Sequence, residues 1–328
     1  MKFIDSYSFS PYFNLALEEY MLKHFLLEEM LVFLWQNVPT VVIGNNQNTV
    51  EEINIPYVDT HNIKVVRRLS GGGAVFQDMG NLNFTFLMPL PKANRLDIGK
   101  LAFPIVKALQ NLGIPAQLSG RNDILVEGKK ISGNAQRLYE NKLLHHGTLL
   151  YDTDLDVLAR VLQVGYDKIE SKGIKSVRSR VTNIKKYWSK DSSIKQFKDA
   201  LLNELFQEEN IKQYHLTHYD REQVNALVKN KYETWEWNYG YSPCCSLRNS
   251  RRFKGGKIEV CLDVEKGMIK NNKIHGDFLS LRDISTIEQA LIGQYYRPEI
   301  IITLLKKFNL SHYFGDISLE QIMTVFFG

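Results

Sequence analysis

Apolar residues fall at Phe13, Leu17, Met21 and Phe25, the i, i+4 spacing of one buried helix face, and Asn14 stands near the start of that helix as its expected cap. Beyond residue 30 the apolar runs shorten and become β-rich. LVFLW (31–35) and TVVIG (40–44) predict strands, the second closed by Gly44 and the polar run Asn45-Asn46-Gln47-Asn48. KVVRR (64–68) and AVF (74–76) predict two more, bracketing three glycines. LNFTFLM (82–88) alternates, which puts Leu82, Phe84 and Phe86 on one face and Asn83 and Thr85 on the other, with Asn83 free for a ligand.

PIVKALQNL reads as a helix with Pro104 in its first turn and Gly113 at its end. DILVE and KISG flank an expected hairpin turn at Gly128-Lys129; HHGTLLY (145–151) follows as a strand and DLDVLARVL as a helix. Ser192 or Ser193 is placed to cap IKQFKDALLNELF. Strands and helices interleave irregularly, so the expected class is α/β (α+β mixed), with a mixed sheet rather than a strict βαβ repeat.

The texture changes over KYETWEWNYGYSPCCSLRNSRR, residues 231–252, as at a domain edge. After it Ile258, Val260, Leu262 and Val264 alternate with Glu259, Cys261 and Asp263, expected inward and outward respectively, ahead of a turn at Lys266-Gly267. Ser285 to Glu288 has the form of a capping box, and Pro298 begins another helix. The expected division is a larger domain over 1–246 and a small α+β domain over 247–328, about 80 residues and able to fold alone.

Composition narrows the class. The chain has 328 residues, 44% hydrophobic and 23% charged, ordinary for a folded soluble protein. A net charge of +5 suits an acidic partner or a phosphorylated ligand and falls short of a nucleic-acid footprint. Three cysteines, Cys244, Cys245 and Cys261, have no metal spacing, and the adjacent pair is a poor disulfide. The start MKFIDSYSFSPYF lacks a signal-peptide pattern and no apolar run reaches membrane length, so the expectation is a cytoplasmic protein with no membrane or nucleic-acid partner.

Four stretches carry candidate chemistry. In RRLSGGGAVFQDMGN, Gly71, Gly72 and Gly73 let backbone N–H groups converge on an anion, and the motif matches neither the P-loop nor the dinucleotide template. Adjacent strand residues point to opposite faces, so only one of Arg67 and Arg68 can face such a site. A glycine-rich hairpin with solvated arginines is the plain alternative. In GRNDILVEGKKISGNAQR, Lys130 could neutralise a carboxylate–phosphate mixed anhydride or could be a solvent-facing hairpin lysine, and Asp123 could ligate Mg²⁺ or serve a turn. HHGTLL lacks the companions of a zinc site, so a histidine lining a pocket or packed in a strand is expected. KGIKSVRSRVTNI, with Lys172, Lys175, Arg178 and Arg180, is a solvated basic face or else a lid or docking patch for an acidic partner. No activated nucleophile is evident, and chemistry by positioning and charge stabilisation, as in adenylation, fits better.

These segments, together with FNLALEE, FLWQNVPTVVIGNNQN and WEWNYG, follow one another in an order and spacing that resembles the bacterial lipoate–protein ligase A family of the biotin/lipoate ligase type. The resemblance implies a mixed-sheet catalytic domain and a two-step reaction. Lipoate and ATP, with Mg²⁺, form lipoyl-AMP and pyrophosphate, and an acceptor lysine then attacks the anhydride. Acceptors would be the acidic lipoyl domains of 2-oxo acid dehydrogenase complexes and the glycine cleavage H protein. By residue, the resemblance gives nucleotide contacts to Arg68 and to the backbone of Gly73, Ala74, Val75 and Phe76. It gives Lys130 the catalytic role, with Ser70, Gly71, Gly72, Asn83, Arg137 and His146 as further pocket positions and Asp123 as a Mg²⁺ ligand. Gln77 departs from the family's usual histidine and cannot titrate near neutral pH. The rival readings are a lipoyl or octanoyl acyltransferase, whose relatives use a cysteine, a biotin ligase with a different glycine signature, and a non-catalytic lipoate-binding protein.

Overall fold

The computed structural model describes residues 1–25, 29–90, 101–120, 122–162, 178–188, 191–206, 212–240 and 247–327. Its strands in chain order are β1 (Lys2–Ile4), β2 (Leu31–Trp35), β3 (Thr40–Ile43), β4 (Lys64–Arg67), β5 (Val75–Gln77), β6 (Asn81–Pro89) and β7 (Ala116–Ser119). They continue as β8 (Asp123–Val126), β9 (Lys129–Tyr139), β10 (Lys142–Leu150), β11 (Lys212–Gln213), β12 (Leu247–Phe253), β13 (Gly256–Glu265) and β14 (Met268–Gly276).

Eight strands form one sheet in the order β11-β1-β2-β6-β10-β9-β8-β7. β1 runs parallel to β2 and β11, whereas β2–β6, β6–β10, β10–β9, β9–β8 and β8–β7 are antiparallel. β4-β3-β5 is a second, also mixed, sheet and β12-β13-β14 an antiparallel third. The expected mixed-sheet class is therefore the one observed.

The alternation in β6 sorts the large sheet into two faces. Leu82, Phe84 and Phe86 pack with Val32, Leu34, Ile105 and Leu109 in one core. Leu87 belongs to the core under the helix Pro11–His24, with Leu17, Met21 and Trp35. That helix is buried on most sides, Glu18 and Glu19 included, which the single i, i+4 stripe did not foretell. Its cap is Ser10, whose hydroxyl accepts from the Phe13 N–H, with Pro11 in the first turn. Asn14 lies one turn further in and donates to Ser8 O, Gln36 O and Asn37 Oδ1.

Other local expectations shift for tertiary reasons. The β8–β9 turn is centred on Glu127 and Gly128, both at positive φ (50° and 73°), one residue earlier than expected. Ser193 rather than Ser192 receives the first N–H bonds of Ile194–Phe206. No capping box forms at Ser285; Asp283 Oδ1 accepts the Ser285 N–H, while the Glu288 carboxylate accepts from the Ile274 N–H and Lys273. Lys266 and Gly267 do make the expected turn, both at positive φ.

In β13, Ile258, Val260 and Leu262 face a separate core completed by Ile287, Ile301 and Phe326. Glu259 and Cys261, expected outward, are also buried. The reason is that the other face of this sheet meets residues 46–51. Glu259 pairs with Arg248 and Lys257, both of which also reach Glu51, and the Gly276 N–H bonds to Asn46 O at 2.7 Å. Cys244, Cys245, Lys172 and Lys175 lie outside the described residues.

Arg67 has no exposed surface and ties three segments together. Its guanidinium donates to the carbonyls of Gly44 (2.9 Å), Asn45 (3.1 Å), Gln47 (2.6 Å) and Trp237 (2.9 Å) and to Thr49 Oγ1 (2.7 Å). Arg67→Met keeps the stem and strands those acceptors. The expected loss is about 3 kcal/mol of unfolding free energy, read as a lower urea midpoint at an unchanged slope.

Candidate active site

Arg67, which ends β4, and Arg68, just after it, go opposite ways. Arg67 enters the clamp just described, and Arg68 lines a concave cleft between the two mixed sheets, the kind of place where small-molecule ligands bind. Neither is solvated. Arg68 is 6% exposed, and burial lowers its guanidinium to about 10, which leaves it cationic at neutral pH. Its Nη2 donates to Gly71 O (2.6 Å) and Gly73 O (2.8 Å), its Nη1 to Val42 O, and its Nε to Ser70 Oγ (3.0 Å). The side chain thus holds the glycine loop in a curl around itself.

Two glycines in that loop are sterically required. Gly72 sits at φ +86°. A Cβ on Gly71 would come within 2.7 Å of both N and Oγ of Ser280 and 2.8 Å of Phe278 O. The loop is that close to residues 278–280, and the Gly72 N–H is donated to Phe278 O at 3.0 Å.

Of the positions singled out in sequence, Arg68, Gly72, Gly73, Ala74, Val75, Asn83, Lys130 and His146 share the cleft wall. Phe76 turns its side chain into the core beside Ile43 and Leu150. Ser70 is fully buried and Gly71 packs on Ser280, so neither is on the wall. Arg137 is not on it either; it donates to Leu69 O and pairs with Asp283 at 2.9 Å. Asn83 faces away from the first core as expected but is 1% exposed, because Trp35 and the helix Pro11–His24 cover that face. Its Oδ1 accepts from Asn81 at 2.8 Å, and its Nδ2, buried at the cleft, has no partner among the described residues. Asn134 Oδ1 is similarly unpaired on the wall. Buried polar atoms left open at a concave surface are suited to a polar ligand.

Lys130 lies on β9, paired with Asp123 of β8 at 2.7 Å, and both side chains are about one-third exposed (36% and 33%). The lysine is thus held at the cleft rather than loose in solvent. Its backbone is pinned as well: its carbonyl accepts the Thr182 N–H at 3.0 Å, beside a parallel bridge to Val181. The described part of the basic segment therefore reaches the cleft through its backbone, while Arg178 pairs with Asp156. Gln77 is 4% exposed and its Oε1 accepts from Asn37 at 2.7 Å, so it fixes a buried amide network at the wall. Among the described residues no group of three or more His, Cys, Asp or Glu could cage a metal ion. A single carboxylate such as Asp123 fits Mg²⁺ carried in on phosphates, since that ion keeps waters and needs only one or two protein carboxylates.

Comparison with known proteins gives the family. Residues 10–206 match the family model described as the lipoyl protein ligase A/B catalytic domain, and 242–326 that of the bacterial lipoate protein ligase C-terminus. The lipoate-protein ligase LplJ of Bacillus subtilis is 44% identical over 331 residues, covering 100% of each chain. The chain belongs to the lipoyl protein ligase A/B family. Among solved structures, P. falciparum LipL1 in complex with lipoate superposes with a TM-score of 0.80 at 27% identity, covering 94% of both chains. A lipoate-protein ligase A bound with ATP gives 0.62 at 27%, covering 73% of this chain and 98% of that one. The bipartite ligase of Thermoplasma acidophilum, described with its E2 lipoyl domain, gives 0.65 at 28%, covering 75% and 98%.

Sequence reasoning missed Trp35, Asn134 and Glu18. Trp35 sits in an apolar strand where its type is ordinary, so no local pattern marks it, whereas Asn134 is an uncommon residue for a strand and was a weak signal. Glu18 had a signal, a carboxylate beside a second one in a helix otherwise apolar on that side. It is 3% exposed and within 3.0 Å of His146 Nδ1.

The paired histidines divide between the faces of β10. His146 lines the cleft, and His145 stacks on Phe86 in the core, where burial pushes it down to about 3. Burial likewise lowers His275 to about 4. The unfolded chain binds these protons near pH 6.5, so below that pH it carries more protons than the fold and stability falls with acid. Each histidine contributes about 1.4 kcal/mol per pH unit of that loss between 6.5 and its folded value. In His145→Asn the drop in stability from pH 7 to pH 5, measured by urea titration, should shrink by about 2 kcal/mol.

Proposed function

We propose that this chain is a lipoate–protein ligase that activates lipoate with ATP and passes the lipoyl group to a lysine of a lipoyl domain. The observation that carries the reading is the joint placement of Lys130 and Arg68, two cations on one cleft that also offers unpaired polar atoms at Asn83 and Asn134. The ATP- and lipoate-bound relatives support the two ligands, and the archaeal ligase described with its lipoyl domain supports the acceptor class.

In the first step a lipoate carboxylate oxygen attacks the α-phosphorus of ATP and pyrophosphate leaves. Arg68, kept cationic although buried, and the loop from Gly73 to Phe76 bind the nucleotide phosphate. Lys130 places its ammonium beside the carboxylate and phosphate oxygens, lowering their mutual repulsion. Asp123 holds Lys130 in place and is the side chain that would hold Mg²⁺, an ion that neutralises phosphate charge when bound. Ser70, Gly71 and Arg137 act from behind the wall. In the second step the ε-amine of the acceptor attacks the acyl carbon, AMP leaves, and the amine's proton passes to solvent. Lys130 stabilises the carbonyl oxygen as it becomes an oxyanion.

Residues 1–246 carry both steps in this reading, and 247–328 form the accessory domain, in keeping with the separate core under β12–β14. The net charge of +5 favours an acidic acceptor such as a lipoyl domain of a 2-oxo acid dehydrogenase complex or the glycine cleavage H protein. A cytoplasmic location fits these acceptors. No helix among the described residues is long and apolar enough to cross a membrane. Acyl transfer by a cysteine is the weaker reading, because Cys261, the cysteine among the described residues, is buried in β13 and is not on the cleft wall.

Purified protein with lipoate and Mg²⁺ should exchange labelled pyrophosphate into ATP, and no lipoate-dependent exchange would end the ligase reading. Lys130→Ala should lose at least 100-fold in acceptor lipoylation, the scale of one lost oxyanion donor, with an unchanged circular dichroism spectrum. Wild-type turnover in that variant would remove Lys130 from the mechanism.

A further inference from the structure

The buried side chains behind the cleft form one continuous hydrogen-bond chain. Trp35 Nε1 donates to Thr85 Oγ1 at 2.9 Å, and Thr85 Oγ1 donates to Glu18 Oε1. Glu18 is also bonded to His146 Nδ1 at 3.0 Å; His146 Nε2 is 2.6 Å from Ser70 Oγ, which accepts from Arg68 Nε at 3.0 Å. The two ends of this chain, Trp35 and Arg68, both line the cleft, as does His146 in its middle.

Donor chemistry fixes the two end links, and the placement of the hydroxyl protons sets the inner ones. Indole and guanidinium N–H groups can only donate, so each end sends a proton inward. The Thr85 hydroxyl, accepting from Trp35, passes its own proton to Glu18. At the other end Ser70 accepts from Arg68, and His146 Nε2 is the acceptor its own proton finds among the described residues, which puts the ring proton of a neutral imidazole on Nδ1, facing Glu18. Both branches therefore end on one acceptor, and an ionised carboxylate, which accepts at both oxygens, satisfies both.

We propose that Glu18 is a positioning residue for the ligase reaction: the common acceptor that, through His146 and Ser70, fixes Arg68 and the glycine loop and, through Thr85, fixes Trp35. The Ser70–His146–Glu18 order is also that of a serine nucleophile set. That alternative fails on access, because Ser70 is fully buried and not on the cleft wall, so no acyl carbon reaches its Oγ. The same bonds orient an arginine instead. Arg68 Nη2 in turn holds Gly71 O and Gly73 O, so an error in Arg68 becomes an error in the loop that cradles the nucleotide.

The kinetic consequence rests on the ligase reading, whereas the proton positions do not. In ¹⁵N-histidine NMR of the wild-type protein, His146 should show Nδ1 protonated and Nε2 as an unprotonated acceptor. Protonated Nε2 in the wild type would overturn the proposal whether or not the protein is a ligase. Glu18→Met keeps the length and removes the acceptor, and should move the His146 proton toward Nε2. Glu19→Gln, at the neighbouring buried carboxylate that serves Lys23, Lys231 and Tyr232, should leave the tautomer unchanged. In pyrophosphate exchange, Glu18→Met and Ser70→Ala should each lower kcat/KM about tenfold, the scale of a buried partner left unpaired. The double variant should fall no further than the worse single one, because both break the same chain. Multiplying effects, or a Glu18→Met variant with wild-type exchange, would overturn the positioning role.

Discussion

The Arg67 guanidinium, sealed from solvent, is the junction on which the cleft's frame depends. It draws carbonyls from residues 44–47 and from Trp237 onto one cation, while Asn238 Oδ1 accepts the Arg67 backbone N–H at 2.9 Å. A buried charge is costly unless its donors are matched, and here oriented peptide dipoles match them. The turn after β3 therefore has little freedom to open, and a segment 170 residues away in sequence is held to the end of β4. Because neighbouring strand residues face opposite ways, fixing Arg67 on one side delivers Arg68 to the other. The clamp and the anion site are consequences of one strand ending.

The same economy governs the rest of the site. β6 divides its residues between a dry core and the cleft, β10 does so with His145 and His146, and the helix Pro11–His24 uses its adjacent carboxylates differently. Glu19 takes a structural set of Lys23, Lys231 and Tyr232, and Glu18 serves the cleft through His146. Lys130, by contrast, is only partly enclosed. Its pairing with Asp123 orients it without desolvating it, as suits a group that must meet charged ligands arriving from solvent. Residues 278–283 close one side, through the Phe278 carbonyl on Gly72 and the Arg137–Asp283 pair.

The elements were largely legible in the residue pattern because strand alternation and helix spacing reflect local burial. The strands around the glycine loop, the long alternating β6 and the helices begun at Pro104 and Pro298 all stand within a residue or two of expectation. Errors arose where a third segment intervened. Asn14 became a buried tether to Gln36 and Asn37 rather than a cap, Glu288 reached across to β14 rather than closing a capping box, and Glu259 was covered by residues 46–51. Each concerns a polar side chain whose partner is distant in sequence, and no local pattern encodes such a partner.

By itself the sequence determined the mixed-sheet class, the order of the motifs, the glycine loop and the identity of Lys130 and Arg68 as the cations worth attention. The class and the glycine loop follow from side-chain chemistry and short-range periodicity, whereas the resemblance to the ligase family is what singled out Lys130 and Arg68. The tertiary structure decided which groups share a cavity, and it set Arg137, Ser70 and Gly71 behind the wall rather than on it. It also decided that Glu18 would gather donors from both ends of the cleft. The reason is physical: a hydrogen-bond acceptor acquires a role only when distant strands bring donors to it, and that convergence exists only once the chain has folded.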